Sequence, residues 1–116
     1  MIRHNRFYAF EMPDNWQGIV KVRTRGSCTS FYLIDEDKDG LIAALKLLKR
    51  KPAEESELIG KLTMADGTVR NLYAVYGTEG ACSENNADLY WRLVDRMYNV
   101  YVSIKPNEGY QWERMI

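Results

Sequence analysis

Leu41-Ile42-Ala43-Ala44-Leu45-Lys46-Leu47-Leu48-Lys49-Arg50-Lys51 is the stretch on which the fold turns. Its residues are strong helix formers, and Leu41, Ile42, Leu45 and Leu48 share one face of a helix. Taken alone, the segment leans towards helix. Tertiary context routinely overrides such a lean, so strand and helix both stay open at this point.

Working towards the N-terminus, Asp35 to Gly40 is a polar turn. Before it, Cys28 to Ile34 is apolar on both faces through Phe31, Tyr32, Leu33 and Ile34, the pattern of a covered central strand. Arg25-Gly26-Ser27 reads as a hairpin connection back to Ile19–Thr24, with Val20 and Val22 facing in and Lys21 and Arg23 facing out. Phe7 to Met12 alternates again, with Tyr8, Phe10 and Met12 on one side, and stops at Pro13-Asp14-Asn15.

Towards the C-terminus, Pro52 to Ser56 is a linker, and Leu58 to Met64 alternates as a strand. Ala65-Asp66-Gly67-Thr68 is a hairpin signal leading into the return strand Val69 to Tyr76. A helix starts near Asn85 or Asn86, both good N-caps. Leu89, Leu93, Met97 and Val100 form its apolar stripe, widened by Tyr90, Val94 and Tyr101, and Pro106 marks its end. Tyr110 and Trp112 lie in a short tail, 105–116, that closes one edge of the core at 7–104.

The whole chain has 116 residues, the size of one domain, and burying about two-thirds of the unfolded surface gives it one core. Sixteen basic side chains balance sixteen acidic ones, which argues against a nucleic-acid binder. No stretch approaches the roughly 20 apolar residues of a membrane span. Met1 to Arg6 carries charge with no apolar segment behind it. A cytoplasmic chain is expected from that, or an extracytoplasmic one whose leader has been removed. Cys28 and Cys82 are too few for a disulfide framework, and read as two small, mostly buried thiols or one bridge.

Few residues suggest chemistry. Asp35-Glu36-Asp37-Lys38-Asp39-Gly40 opens like a calcium loop, with oxygen ligands at Asp35, Asp37 and Asp39 and glycine sixth. The twelfth position, where a bidentate glutamate belongs, is Lys46, so a solvated turn is the stronger reading. His4 is the single histidine, and nothing beside Cys28 supplies a base, so no catalytic residue, enzyme activity or cofactor is expected. Lys46, Lys49, Arg50 and Lys51 are answered by Glu54, Glu55 and Glu57, as on a solvated surface. Three tryptophans and eight tyrosines bring large area at low entropy cost. Trp16, Tyr110 and Trp112, outside the strands and helix, are the candidate recognition surface.

The run Phe7-Tyr8-Ala9-Phe10-Glu11-Met12-Pro13-Asp14-Asn15-Trp16, an aromatic strand followed by Pro-x-x-Trp, resembles the opening of small domains in secreted lipoproteins of gut Firmicutes. The resemblance continues through Ser30-Phe31-Tyr32, Gly40 to Leu45, Ile59-Gly60-Lys61-Leu62, the hairpin from Ala65 to Tyr76, and the helix ending near Val102-Ser103-Ile104. Similar openings occur in PsbP-like folds. The resemblance implies that 41–49 is a strand, against its local propensity, and it carries over no catalytic residue. A Pro-Thr-Asp segment that tends to follow the hairpin in that family is replaced here by Tyr76-Gly77-Thr78-Glu79.

The expected molecule is an α+β, PsbP-like domain. Its antiparallel meander sheet has five or six strands, with the C-terminal helix packed on one face. Its expected role is a non-enzymatic binding or accessory module for a protein, another macromolecule or a second copy. The alternative is a small-molecule or calcium-binding domain using the Asp35–Asp39 turn.

Overall fold

Leu41–Leu48 is a strand. The computed structural model describes residues 1–34, 36 and 38–116, leaving aside the side chain of Glu79. In chain order its strands are β1 (Ile2–His4), β2 (Tyr8–Glu11), β3 (Val20–Arg25), β4 (Cys28–Leu33), β5 (Leu41–Leu48), β6 (Glu57–Thr63) and β7 (Val69–Tyr76). Helix α1 (Ala87–Val102) follows, then β8 (Lys105–Pro106) and β9 (Gln111–Arg114). Six strands form an antiparallel sheet in the order β3-β4-β5-β7-β6-β9, and β1-β2-β8 form a second, three-stranded one. This is an α+β fold with the helix against the sheet.

The helical lean of 41–51 loses for a physical reason. Propensity differences amount to tenths of a kcal/mol per residue. β5 lies between β4 and β7 and completes a ladder with each; a helix there would leave both neighbours with unpaired backbone edges. The register also shows why its apolar pattern looks unlike a strand. Tyr32 pairs with Leu41 and Phe31 with Ala43, so Ile42 is an extra, bulged residue. Beyond the bulge, Ala43, Leu45 and Leu47 stand opposite Tyr76, Ala74 and Leu72 on the core face. Ile42, Ala43 and Leu45 are fully buried. Leu41 and Leu48, which the helical reading would have placed in the core, are only half-buried.

A second bulge sits in β6, where Leu58 pairs with Tyr73 and Gly60 with Leu72, so that Ile59 and Leu62 both reach the core. The meander holds from β3 through β5, after which β7 lies between β5 and β6. β5 and β6 therefore run in the same direction, and the connection 49–56 must return across the sheet. Lys46 and Tyr73 face each other on the side away from the helix, and Lys46 Nζ meets Glu54 Oε2 at 2.9 Å. The connection thus straps the outer face, and Ala44 and Tyr73 on that face are buried.

On the inner face, α1 and the small sheet lie side by side. The helix buries Tyr90, Leu93, Met97, Val100 and Tyr101, and Leu89 and Val94, expected in the same stripe, are half-buried. β2 turns Tyr8 and Phe10 inward, and Phe10 meets Phe31 edge-on at 5.4 Å. β4 is less apolar on its second face than expected. Thr29, Phe31 and Leu33 are buried, whereas Cys28, Ser30 and Tyr32 are half-exposed on the outer face. Trp16 lies in the core and not on the recognition surface expected of it. Pro13 opens a short 3-10 turn at Asp14–Trp16, closed by Trp16 N–H to the Pro13 carbonyl, and the indole folds into the core at 2% exposure.

Candidate functional site

The outer face of β3 and β4 carries a concentration of donors. Side chains on β3 alternate, so Lys21, Arg23 and Arg25 share a face with Tyr32, Ser30 and Cys28 directly opposite. Lys21 Nζ lies 5.8 Å and Arg23 Cζ 5.9 Å from the centre of the Tyr32 ring, within range of cation–π attraction. Arg23, Arg25, Cys28, Ser30 and Tyr32 line an open hollow of about 350 Å³. Every lining side chain brings a hydrogen-bond donor, and none is a carboxylate. Among the described residues, no ion pair involves Lys21, Arg23 or Arg25; the pairs found join the N-terminus to Glu11 and Asp14, and Lys46 to Glu54.

Below this patch, on the core side, Thr24 and Thr29 face each other with oxygens 3.3 Å apart, and Asn5 Nδ2 donates to Thr29 Oγ1 at 3.1 Å. The Tyr8 hydroxyl lies beside them without a well-formed hydrogen bond, and burial pushes its pKa up to about 12. The polar cluster ties the N-terminal segment to the back of β4 and fixes the strand that carries the donors.

A second open hollow, of about 520 Å³, lies at the strap and is acidic, with Glu54, Glu55 and Glu57 beside Tyr76 and Thr78. There the Tyr101 hydroxyl donates to Tyr76 at 2.9 Å and Tyr76 to Glu57 Oε1 at 2.8 Å. Burial raises both phenols well above their ordinary value; the Tyr76 hydroxyl bond raises Tyr101 further, and Glu57 does the same for Tyr76. Both phenols stay protonated through the physiological range.

The aromatic residues expected to form one recognition surface do not assemble one. Trp16 is in the core. Tyr110 is half-buried and stacks on Phe7 at 6.3 Å, and Trp112 is half-buried over Gly60 on β6. The exposed large aromatics are Trp91 and Tyr98 on the outside of α1, at 42% and 53% exposure. Trp112 lies in strand β9 and not outside the strands, and Trp16 shows that a turn position does not imply a surface side chain.

Of the expected calcium ligands, Asp35 and Asp37 lie outside the described residues, and Asp39 is exposed. Glu36, between them, is engaged within the protein. Its Oε2 accepts from Asn86 Nδ2 at 2.8 Å and Ser83 Oγ at 3.2 Å, and its Oε1 from Lys38 N–H. The Asn86 amide, then backbone and side-chain donors of Ser83 and Lys38, hold its pKa down at about 2. Asn86 does occupy the N-cap of α1, but its side chain reaches Glu36 instead of a helix N–H. Cys28 is half-buried, Cys82 is buried, and both are free.

The sequence had shown Lys21 and Arg23 facing outward. What it did not show was a tyrosine, a serine and a thiol beside them with no acid in between, because that depends on the β3–β4 register. No family model matches the chain, and neither do the curated proteins or the solved structures with which it was compared.

Proposed function

We propose that this is a non-enzymatic binding module that docks an acidic partner on the outer face of β3 and β4. The observation that carries the reading is a hollow in which every lining side chain brings a hydrogen-bond donor and none is a carboxylate, with Lys21 on the same face as Arg23 and Arg25. Cations with no ion pair among the described residues, two of them held near an aromatic ring, favour a ligand that brings its own negative charge. Glu54 of the strap is paired with Lys46, and Glu54, Glu55 and Glu57 line a different hollow, so a neutral chain still presents local charge. The resemblance to PsbP-like lipoprotein domains belongs to the same reading, since it offers a scaffold and no catalytic residue.

Fluorescence anisotropy with labelled poly-L-glutamate tests it. Binding is expected at low ionic strength, weakening as salt screens the charges. The Lys21→Gln/Arg23→Gln/Arg25→Gln variant, with its fold checked by circular dichroism, is expected to lose it. A variant that binds as well as the parent removes the proposed surface.

A further inference from the structure

The anion-docking reading becomes more specific at the rim of the sheet, because β3 is an edge strand that pairs only with β4. Ile34 N–H bonds the Ile19 carbonyl, and the register then alternates: the backbones of Lys21, Arg23 and Arg25 are bonded to β4, and those of Val20, Val22 and Thr24 point at the free edge. None of the described hydrogen bonds reaches those edge groups. We propose that this edge receives one extended, antiparallel strand of an acidic polypeptide, with carboxylates at alternate positions facing Lys21, Arg23 and Arg25. The inference rests on the anion-docking reading above.

Three features select this partner. An added antiparallel strand would hydrogen-bond through Val20, Val22 and Thr24, which makes Lys21, Arg23 and Arg25 the non-hydrogen-bonded sites. Opposed side chains are closest there, with Cα atoms about 4.5 Å apart. Each cation would then meet one side chain of the incoming strand on the same face. On the inner face, Val20 is buried and Val22 half-buried, so residues alternating with the carboxylates would be apolar. The like charges also keep two copies of β3 from pairing with each other, a common protection of sheet edges. The other free edge, β9, carries Glu113 beside Arg114 and has no such single-sign pattern. Main-chain bonds would supply affinity and the alternating charges would set register.

The probe is a short fluorescein-labelled peptide of alternating valine and glutamate, compared with the same peptide N-methylated at every valine. Methylation leaves the charge untouched and removes the N–H groups that an antiparallel strand would donate. The unmodified peptide is expected to bind at low salt, and the methylated one roughly tenfold or more weakly. Val22→Pro gives the reciprocal test. It removes an edge-facing N–H that β4 does not use, keeps every charge, and is expected to weaken the unmodified peptide to the level of the methylated one. Equal affinity for the two peptides overturns strand addition and leaves the anion-docking reading standing. Failure of both peptides and of poly-L-glutamate to bind overturns both. A single-stranded oligonucleotide that displaces the peptide at lower concentration than unlabelled peptide does also overturns the proposal, in favour of a nucleic-acid partner.

Discussion

Trp112 lies on Gly60: a Cβ built on that glycine would collide with the edge of the indole ring and lie 2.7 Å from the Glu113 carbonyl oxygen. The contact joins the last strand to β6 and closes the core at that edge, where Leu62 pairs with Trp112. Gly60→Ala is therefore expected to push the ring off the sheet, at a cost of about 1–3 kcal/mol. Urea unfolding checks this. In a Trp112→Ala background the same substitution should cost less, because the ring is gone while the Glu113 carbonyl stays; equal costs in the two backgrounds would show that the ring is not what glycine accommodates.

Gly77 tests the same principle against a stiffer neighbour. Its missing Cβ would collide with the Leu41 carbonyl and the Tyr90 hydroxyl, and that hydroxyl donates to the same carbonyl. A backbone carbonyl in a central strand cannot swing aside as an indole near an edge can. Gly77→Ala should accordingly destabilise more than Gly60→Ala, by about 3 kcal/mol or more. Thermal melts of the two variants side by side decide the order.

Glu36 links the turn before β5 to the start of α1, and its carboxylate makes the fold sensitive to acid. Its folded-state pKa of about 2 is below the ordinary glutamate value of 4.5, so the folded chain holds the proton less tightly than the unfolded one. The stabilisation is complete above the unfolded pKa and is lost as pH falls through the folded one. Glu36→Gln should be less stable than the parent at neutral pH, and the gap should close between about 4.5 and about 2. Denaturant midpoints measured across that range would show it; a gap that does not change with pH would assign the loss to shape instead of charge.

Much of the architecture was legible because it is periodic. The alternation of Tyr8, Phe10 and Met12, the hairpin at Gly26-Ser27, and the stripe from Tyr90 to Tyr101 all bury as their spacing implies. The harder parts come from single-residue insertions and from strand order. The bulge at Ile42 places two successive residues on one face, which makes a strand look helical in sequence. Placing β7 between β5 and β6 depends on the strap crossing the outer face, and only contacts distant in sequence, such as Lys46 with Tyr73, record it. Trp16 was misplaced because a turn was equated with exposure. The donor patch was half-legible: the alternating cations are local, but Tyr32, Ser30 and Cys28 reach them only through pairing.

Two buried phenols make opposite predictions. The Tyr101 hydroxyl donates to Tyr76, so Tyr101→Phe removes a hydrogen bond and leaves an acceptor without its donor in a half-buried site. A loss of about 1 kcal/mol is expected. The Tyr8 hydroxyl is almost fully buried and lacks a well-formed bond, so the protein already bears the cost of removing it from water. Tyr8→Phe should leave stability unchanged or raise it by up to about 1 kcal/mol. Urea midpoints of the two variants, with m-values confirming the same compactness, separate the cases. If Tyr8→Phe proves as costly as Tyr101→Phe, the Tyr8 hydroxyl is bonded in solution, with Asn5 and Thr29 as the neighbours able to bond it.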